Sequence, residues 1–286
     1  MDDNTVENLE PALYVVATPI GNLGDLSPRA RSVLIAVDAV YAEDTRHSQS
    51  MFRQLGMSVR ARSLHQHNER SRIDDILACV RGGGSVALIS DAGTPLISDP
   101  GARVVDAMHT HALAVRAVPG PSAVTTALSV CGIGADSFRF QGFLPAKAGA
   151  RDRSLAELAR VQDTLVLFEA PHRLLASLRA MGQHFGPTRR ITLLREMTKR
   201  YETVVRKQLA DLIEWVERDE NQQRGEIVLV VEGNSGAPAR DETVSREALV
   251  DALVAELPPR QAAKVAARLL GGEKNRWYQD ILNLKR

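Results

Sequence analysis

The chain has 286 residues, of which 44% are hydrophobic and 25% are charged, and its formal net charge is +1. This composition is typical of a soluble globular protein, and the charge balance excludes a chain that is basic throughout, so any nucleic-acid surface must come from local clusters. The two cysteines, Cys79 and Cys131, lack metal-ligand spacing, which excludes a disulfide scaffold and a cysteine-rich zinc site.

The polar, acidic segment 1–11 is unlike a signal peptide, and we expect it to be a disordered tail. No apolar run reaches the length of a membrane span. The low cysteine content fits a reducing compartment. We therefore expect a cytoplasmic protein without a membrane segment and without a bound metal.

The first half of the chain alternates between apolar, strand-like runs and helical segments. Ser27 and Pro28 mark one helix start, because serine is a favoured N-cap and proline suits the first helical position. The alternation predicts a mostly parallel sheet with helices on its faces. The predicted strands are 13–17, 39–42, 86–89 and 113–118, and the predicted helices are 27–37, 73–81, 102–109 and one that begins after Ser122.

Loops rich in glycine, proline or charged residues follow all of these strands, at 18–25, 43–46, 91–101 and 119–123. The carboxyl ends of parallel strands meet at one edge of the sheet, where open α/β proteins bind their ligands. The four loops therefore predict a ligand crevice at that edge.

The segment 90–101 carries the strongest signal, since it holds two Gly, two Pro, two Asp, two Ser and one Thr. Gly93 and Gly101 would let the backbone approach a ligand closely. A surface loop whose side chains cap its own backbone is the alternative interpretation. Oxygen atoms for the hydroxyl or cationic groups of a ligand would come from Asp91, Thr94, Ser98 and Asp99.

A second α/β unit and a helical tail follow. The boundaries we expect are a tail at 1–11, an N-terminal α/β domain at 12–123, a C-terminal α/β domain at 124–236 and a helical extension at 237–286. The predicted strands of the second unit are 138–143, 164–168, 190–195 and 225–231, with a helix at 151–160 and another after 173. The predicted tail helices are 245–257, 259–270 and a piece around 275–284.

Three common motifs are missing from the sequence. It has no GxxxxGK[ST] loop, which argues against a P-loop nucleotide site. It has no GxGxxG after the first strand and no GxSxG, which leaves a dinucleotide site and an α/β-hydrolase nucleophile without support. The crevice must therefore use another set of loops.

Six blocks of the sequence, in this order, carry a family resemblance: 16–25, 43–46, 90–95, 119–123, 168–173 and 195–199. Together they resemble the RsmI branch of the tetrapyrrole-methylase-like superfamily, the 16S rRNA cytidine-2′-O-methyltransferases. The resemblance implies two α/β domains with S-adenosylmethionine in the cleft between them, and a small C-terminal helical extension. It further implies a homodimer that methylates the ribose 2′-hydroxyl of a decoding-centre cytidine, in small-subunit rRNA or the assembled 30S subunit.

The loop after the first strand separates this branch from its relatives. Tetrapyrrole methylases carry a glycine-rich GxGPGD-like loop there, whereas this chain has residues 18–25, TPIGNLGD. The difference favours an RNA substrate. Two alternatives stay open: a methylase of a tetrapyrrole or another small molecule, and a non-catalytic ribosome- or RNA-binding factor.

The resemblance also implies which loop residues contact the cofactor. Two of them have structural alternatives, since Ser122 could be a plain helix N-cap and Phe168 a core aromatic residue. The expected contacts are Pro19, Gly21, Asp91, Ala92, Gly93, Thr94, Ser98, Pro121, Ser122, Ala123, Phe168 and Glu169.

Three residues are candidates for the chemistry. Asp44 or His67 would accept the proton of the 2′-hydroxyl, and Arg46 would hold a neighbouring phosphate. The alternatives are an internal ion pair between Asp44 and Arg46 and a solvated histidine loop. Positioning next to an activated methyl donor could also make a strong base unnecessary.

Local excesses of basic residues indicate phosphate contacts, although ordinary solvated helix faces would explain any one cluster. Trp277 and Tyr278 would either stack on a base or seal the core of the tail. The candidate RNA contacts are Lys147, Arg151, Arg173, Lys199, Arg260, Lys264, Lys274 and Arg276.

Overall fold

The computed structural model describes residues 9–65, 68–234, 250, 253–271 and 274–284. The chain divides into two compact units, Met1–Asn234 and Ser235–Arg286. Most of the predicted N-terminal tail, at 1–8, lies outside the described residues.

The first sheet of the larger unit has five parallel strands in the order β3-β2-β4-β1-β5. Its central strands are short apolar runs buried along nearly their whole length, as expected when helices cover both faces. The strands are β1 (Leu13–Val16), β2 (Ala39–Ala42), β3 (Ala61–Ser63), β4 (Val86–Ile89) and β5 (Val115–Val118).

Two apolar clusters cover the two faces of this sheet, because successive strand residues point to opposite sides. Val86 and Leu88 join one cluster, and Ala87 and Ile89 join the other. The helices are α1 (Pro28–Ala36), α2 (Thr45–Gln54), α3 (Glu69–Arg81), α4 (Ala102–Thr110) and α5 (Ala123–Val130).

The second sheet has the order β6-β7-β10-β8-β9 and is mixed. Strands β6 and β7 are parallel, while the other neighbours are antiparallel. The strands are β6 (Phe138–Phe143), β7 (Thr164–Glu169), β8 (Arg190–Arg195), β9 (Thr203–Gln208) and β10 (Ile227–Val231).

Helices cover one face of the second sheet, and the other face packs against the first half of the chain. Val228 and Val230 of β10 share a core with Val124 and Ala127 of α5 and with Ile20. This shared core places the loops of the first sheet against the second. The covering helices are α6 (Ala148–Leu158), α7 (Leu174–Phe185) and α8 (Leu209–Arg218).

The smaller unit contains α9 (Pro259–Leu270) and α10 (Lys274–Leu284). Trp277 is 5% exposed, packs with Ala262 and Ile281, and donates from its indole nitrogen to the Gly271 carbonyl at 2.8 Å. The tail-core interpretation of Trp277 is therefore confirmed. Of the predicted helix at 245–257, residues 253–256 are helical and most of the rest lies outside the described residues.

Among the described residues, none of the helices combines the length and apolar character needed to cross a bilayer.

Candidate active site

The loops after β1, β4 and β5 are tied together at the carboxyl edge of the first sheet. Thr18 and Gly93 form an antiparallel bridge, with N···O distances of 2.8 and 3.0 Å. The buried Thr18 hydroxyl also donates to the Ser90 carbonyl at 3.2 Å. The Thr94 hydroxyl donates to the Pro121 carbonyl at 3.0 Å, so three of the predicted crevice loops form one connected wall.

A cavity of about 410 Å³ lies between this wall and the second sheet. Its walls include Phe143, Phe168 and Ile227 from the second sheet and Ile20 from the first loop. The predicted cofactor residues that line it are Ala92, Gly93, Thr94, Ser98, Ser122, Ala123, Phe168 and Glu169.

Phe168 lies both in an aromatic cluster and at the wall of the first cavity. Its ring makes edge-to-face contacts with Phe140 and Phe143, at centroid distances of 4.9 and 5.6 Å, and it packs against the shared core. It also lines the cavity. Ser122 is the residue before α5, but its side chain makes no capping hydrogen bond to the helix.

Glu169 brings a buried carboxylate to the cavity. The residue is 3% exposed; its Oε1 accepts from the Ala170 amide at 2.8 Å and lies 3.4 Å from Arg173 Nε. Glu169 Oε2 is buried without a hydrogen-bond partner among the described residues. Arg173, predicted to contact RNA, points inward and donates to the Leu144 carbonyl at 2.5 Å.

Asp99 brings a second carboxylate to the same cavity. Burial, followed by the charge of Glu43, raises the pKa of Asp99 to about 6, and Asp91 acts in the same direction. Asp91 accepts a hydrogen bond from the Asp44 amide at 3.0 Å, which ties the β4 loop to the β2 loop. The edge of the first sheet is therefore strongly acidic and favours a cationic ligand.

Asp44 and Arg46 form the internal ion pair considered above. Arg46 lies 3.1 Å from Asp44 Oδ2, and its backbone amide also donates to Asp44 Oδ1 at 2.8 Å. The hydrogen bonds from Arg46 lower the pKa of Asp44 to about 2, which makes Asp44 a weak base. The other predicted base, His67, lies outside the described residues.

A second cavity, of about 510 Å³, adjoins the first, and both are lined by Ile20, Ala92 and Glu226. Three further predicted cofactor residues, Pro19, Gly21 and Asp91, lie here rather than in the first cavity. Pro121 lines neither of these two cavities.

Lys199, predicted to contact RNA, closes one side of the second cavity. Its ammonium lies 2.9 Å from Glu196 and 3.1 Å from Glu226, and the side chain is about a quarter exposed. Burial is the largest single influence on the pKa of Lys199 and lowers it. The two carboxylates together raise the pKa by more, so the net shift is upward. The lysine thus neutralises two carboxylates beside the cavity.

The other predicted RNA contacts differ in exposure. Arg151 is half-buried. Among the described residues, no three His, Cys, Asp or Glu side chains come together as a possible metal site. The exposed members of the set are Lys147, Arg260, Lys264, Lys274 and Arg276.

Phe168 and Glu169 of β7 were predicted, but sequence reasoning missed the rest of what the second sheet supplies to the first cavity. The missed residues come from the loop after β8 and from the start of β10, where the antiparallel order brings strand starts to the same edge. Two signals were available: Gly225 at the start of the predicted strand 225–231, and the block 195–199, which contains Met197. These residues are Met197, Gly225, Glu226, Ile227 and Val228.

Family models match most of the chain. One described as Tetrapyrrole (Corrin/Porphyrin) Methylases matches residues 12–213, and one described as RsmI C-terminal HTH domain matches residues 242–285. The predicted fold class, an α/β protein of the tetrapyrrole methylase type with C-terminal helices, is confirmed.

Solved structures resemble the larger part of the chain. The methyltransferase CobJ aligns with a TM-score of 0.58 at 16% identity, over 78% of this chain and 95% of its own. A uroporphyrin-III-C-methyltransferase from Thermus thermophilus aligns with a TM-score of 0.55 at 20% identity, over 78% of this chain and 94% of its own. At these identities the likeness establishes the fold alone.

Curated relatives are far more similar. Ribosomal RNA small subunit methyltransferase I of Pseudomonas aeruginosa is 48% identical over 94% of this chain and 96% of its own. The proteins of that name from Vibrio cholerae and Escherichia coli O157:H7 are 43% and 42% identical, each over 97% of this chain and at least 96% of their own. The chain therefore belongs to the tetrapyrrole methylase family and, within it, to the ribosomal RNA small subunit methyltransferase I family.

Proposed function

We propose that this protein transfers a methyl group from S-adenosylmethionine to the ribose 2′-hydroxyl of a cytidine in the decoding centre of small-subunit rRNA. The observation that carries the proposal is the 410 Å³ cavity at the carboxyl edge of the first sheet. The protein is also 42–48% identical, almost end to end, to proteins named as small-subunit rRNA methyltransferases.

The residues of the first cavity fit S-adenosylmethionine. This molecule combines an adenine ring with ribose hydroxyls, an amino group and a positively charged sulfonium. Phe143 and Phe168 offer aromatic surface for the ring, and the carboxylates of Glu169 and Asp99 offer acceptors and negative charge. The unpartnered Oε2 of Glu169 is an acceptor still to be satisfied. When bound, the cofactor supplies an electrophilic methyl group.

The chain's own task is to hold the ribose hydroxyl and to take its proton. In this proposal Asp99 accepts that proton. Asp99 lines the first cavity and interacts electrostatically with Asp91, which lines the second. A carboxylate with a pKa of about 6 is a stronger base than an ordinary aspartate and is still mostly ionised at neutral pH. Asp44, held in its ion pair, then positions the start of α2.

Exposed basic side chains support RNA as the substrate. Lys147 follows β6 in the larger unit. In the smaller unit, α9 carries Arg260 and Lys264, and α10 carries Lys274 and Arg276. Such cations bind the phosphate backbone. We further propose the domain limits given above, a homodimer, a cytoplasmic location and the assembled 30S subunit as the form of substrate.

Radiolabelled S-adenosylmethionine and small ribosomal subunits from cells that lack this gene would test the proposal. The label would be mapped by nuclease digestion and mass spectrometry. We expect one methyl group on a cytidine 2′-oxygen. If the purified protein binds the cofactor yet labels neither the subunits nor their rRNA, the proposed function is wrong; label on an added tetrapyrrole would establish the alternative substrate.

A further inference from the structure

The two cavities at the edge of the first sheet share a wall but differ in chemistry. The first is bounded by aromatic and aliphatic side chains, including Phe143, Phe168 and Ile227. Half of the residues that bound the second are polar. Its polar members are His47, Ser50 and Gln54 of α2, together with Asp91, Lys199 and Glu226.

We propose that the second cavity receives the target nucleoside, turned out of the RNA, while the first holds the methyl donor. The inference rests on the proposed function and names a site for its substrate. Enzymes that modify a nucleotide within structured RNA gain access by extruding it into a pocket and reading its edge with polar groups. A volume of about 510 Å³ is in the range of small-molecule sites.

The polar side chains of the second cavity include hydrogen-bond acceptors and donors, and cytosine presents one amino donor beside two acceptors. Carboxylates of Asp91 and Glu226 can accept from the amino group. The amide of Gln54 and the imidazole of His47 can donate to the ring nitrogen and the carbonyl.

The wall that the two cavities share places the proposed nucleoside site next to the proposed methyl-donor site. Ile20 and Ala92 border both cavities, so a ribose in the second can direct its hydroxyl towards a methyl group held in the first. An aspartate lies in each of the two cavities: Asp91 lines the second and Asp99 lines the first. The proposed proton acceptor, Asp99, therefore belongs to the cavity towards which the hydroxyl is directed.

The surroundings of the second cavity also suit a nucleotide's phosphate. Arg46 precedes His47 in α2, and its side chain is 91% exposed although it pairs with Asp44. Its guanidinium has further donors for a phosphate oxygen. The first cavity has no comparable cation among its described lining residues.

Two variants of the full-length protein, Gln54→Ala and His47→Ala, separate the cavities. We expect each to lower kcat/KM for small subunits by about tenfold or more, because a desolvated hydrogen bond is lost, while the Kd for S-adenosylhomocysteine stays unchanged. Arg53→Ala is the matched control, since Arg53 is an exposed residue of α2 that lines neither cavity.

Two outcomes would overturn the inference. One is unchanged kcat/KM for the subunits in both variants; the other is a loss of S-adenosylhomocysteine affinity that matches the loss of methylation, which would make the second cavity part of the cofactor site. A Tm equal to that of the wild type shows that each variant is folded.

A second measurement keeps the inference independent of the proposed function. Cytidine monophosphate is titrated into the protein saturated with S-adenosylhomocysteine, and the His47 imidazole signals are followed by NMR with adenosine monophosphate as the control. A shift with the cytidine nucleotide alone supports the pocket, and no shift overturns it. If the wild type methylates no RNA, the proposed function fails, and this titration still decides what the second cavity binds.

Discussion

The side chain of Lys199 lies directly against Gly21, where an added β-carbon would stand 2.5 Å from Lys199 Cγ. The contact joins the loop after β1 to the loop after β8. Gly21 was expected to contact the cofactor, and the space beside its α-carbon is filled by a lysine that pairs with Glu196 and Glu226. Gly93 is similar, since an added β-carbon would lie 3.2 Å from Ile20.

Gly21→Ala should therefore disturb folding and the second cavity together. The methyl group has to displace Lys199, and we expect a loss of about 1–3 kcal/mol in the free energy of unfolding, as in other overpacked sites. Denaturant unfolding measures it. Gly134→Ala is the control, because its β-carbon would meet nothing within 4 Å. Equal effects of the two substitutions would contradict the contact.

Asp99→Asn should remove the proposed proton acceptor. We expect kcat to fall by about a hundredfold, within the usual range for general-base catalysis. In the wild type, kcat should fall as the pH drops through about 6, because protonated Asp99 cannot accept a proton. The variant should lose that inflection. The exposed Asp106 of α4 supplies the control, Asp106→Asn. An inflection retained by Asp99→Asn would assign it to another group.

Asp44→Asn tests whether this aspartate supports structure rather than proton transfer. We expect kcat to keep its dependence on pH, because a carboxylate with a pKa of about 2 does not titrate near neutrality. The depressed pKa stabilises the fold above the ordinary pKa of aspartate, and this contribution is lost as the pH falls towards 2.

Thermal unfolding at several pH values measures this contribution. The wild type should exceed Asp44→Asn in Tm by a constant amount near neutral pH, and the difference should shrink in acid. A difference that persists in acid would mean that Arg46 is not its source.

Arg173→Ala distinguishes a structural arginine from an RNA contact. The substitution leaves the Glu169 carboxylate, whose side chain is 1% exposed, without its cationic neighbour. We expect a loss of about 3 kcal/mol in the free energy of unfolding, the lower end for a broken buried pair because Arg173 keeps some exposure. Arg173→Lys should restore part of it. If Arg173→Ala instead raises KM for subunits and leaves stability unchanged, Arg173 contacts RNA.

Lys264→Ala combined with Arg276→Ala tests the smaller unit as an RNA-binding surface. Both side chains are exposed, so the Tm should not change. Affinity for small subunits should fall, and the slope of log K against log salt should decrease by about 2 if each residue neutralises one phosphate. Titrations at several salt concentrations measure this slope. An unchanged slope would show that these two residues do not contact phosphate.

The first sheet could be predicted because its strands are apolar runs between clear helix signals. Helix α2 and strand β3 were not identified, since α2 buries mainly Met51 and Phe52 and β3 is a three-residue edge strand. Strand β9 was also missed, because TVVRKQ carries charges on an exposed edge. Such elements are held by tertiary pairing, which local patterns do not report.

The candidate site could be predicted on the side of the first sheet and, from the second sheet, only at Phe168 and Glu169. The loops after β1, β4 and β5 carry glycine, proline and hydroxyl residues that indicate a ligand edge. Met197 and Val228 reach the cavity because β8 and β10 run antiparallel, and neither residue type signals binding. The inward direction of Arg173 likewise depends on the neighbouring Leu144 carbonyl, a contact between residues far apart in sequence.

The core shared by α5 and β10 limits how the protein can exchange its ligands. Ile20, Val124 and Ala127 are packed against Val166 and Val230 directly behind the first cavity. A hinge motion that parted the two sheets would expose this core to water, at a cost of about 25 cal/mol for each Å² of apolar surface. Entry and release should therefore depend on small movements of the rim, where Ile97 is 40% exposed between Leu96 and Ser98, both in left-handed backbone conformations. The turnover rate would then be limited by movement of the loop that contains Ile97. The two halves of the larger unit would stay together throughout the catalytic cycle.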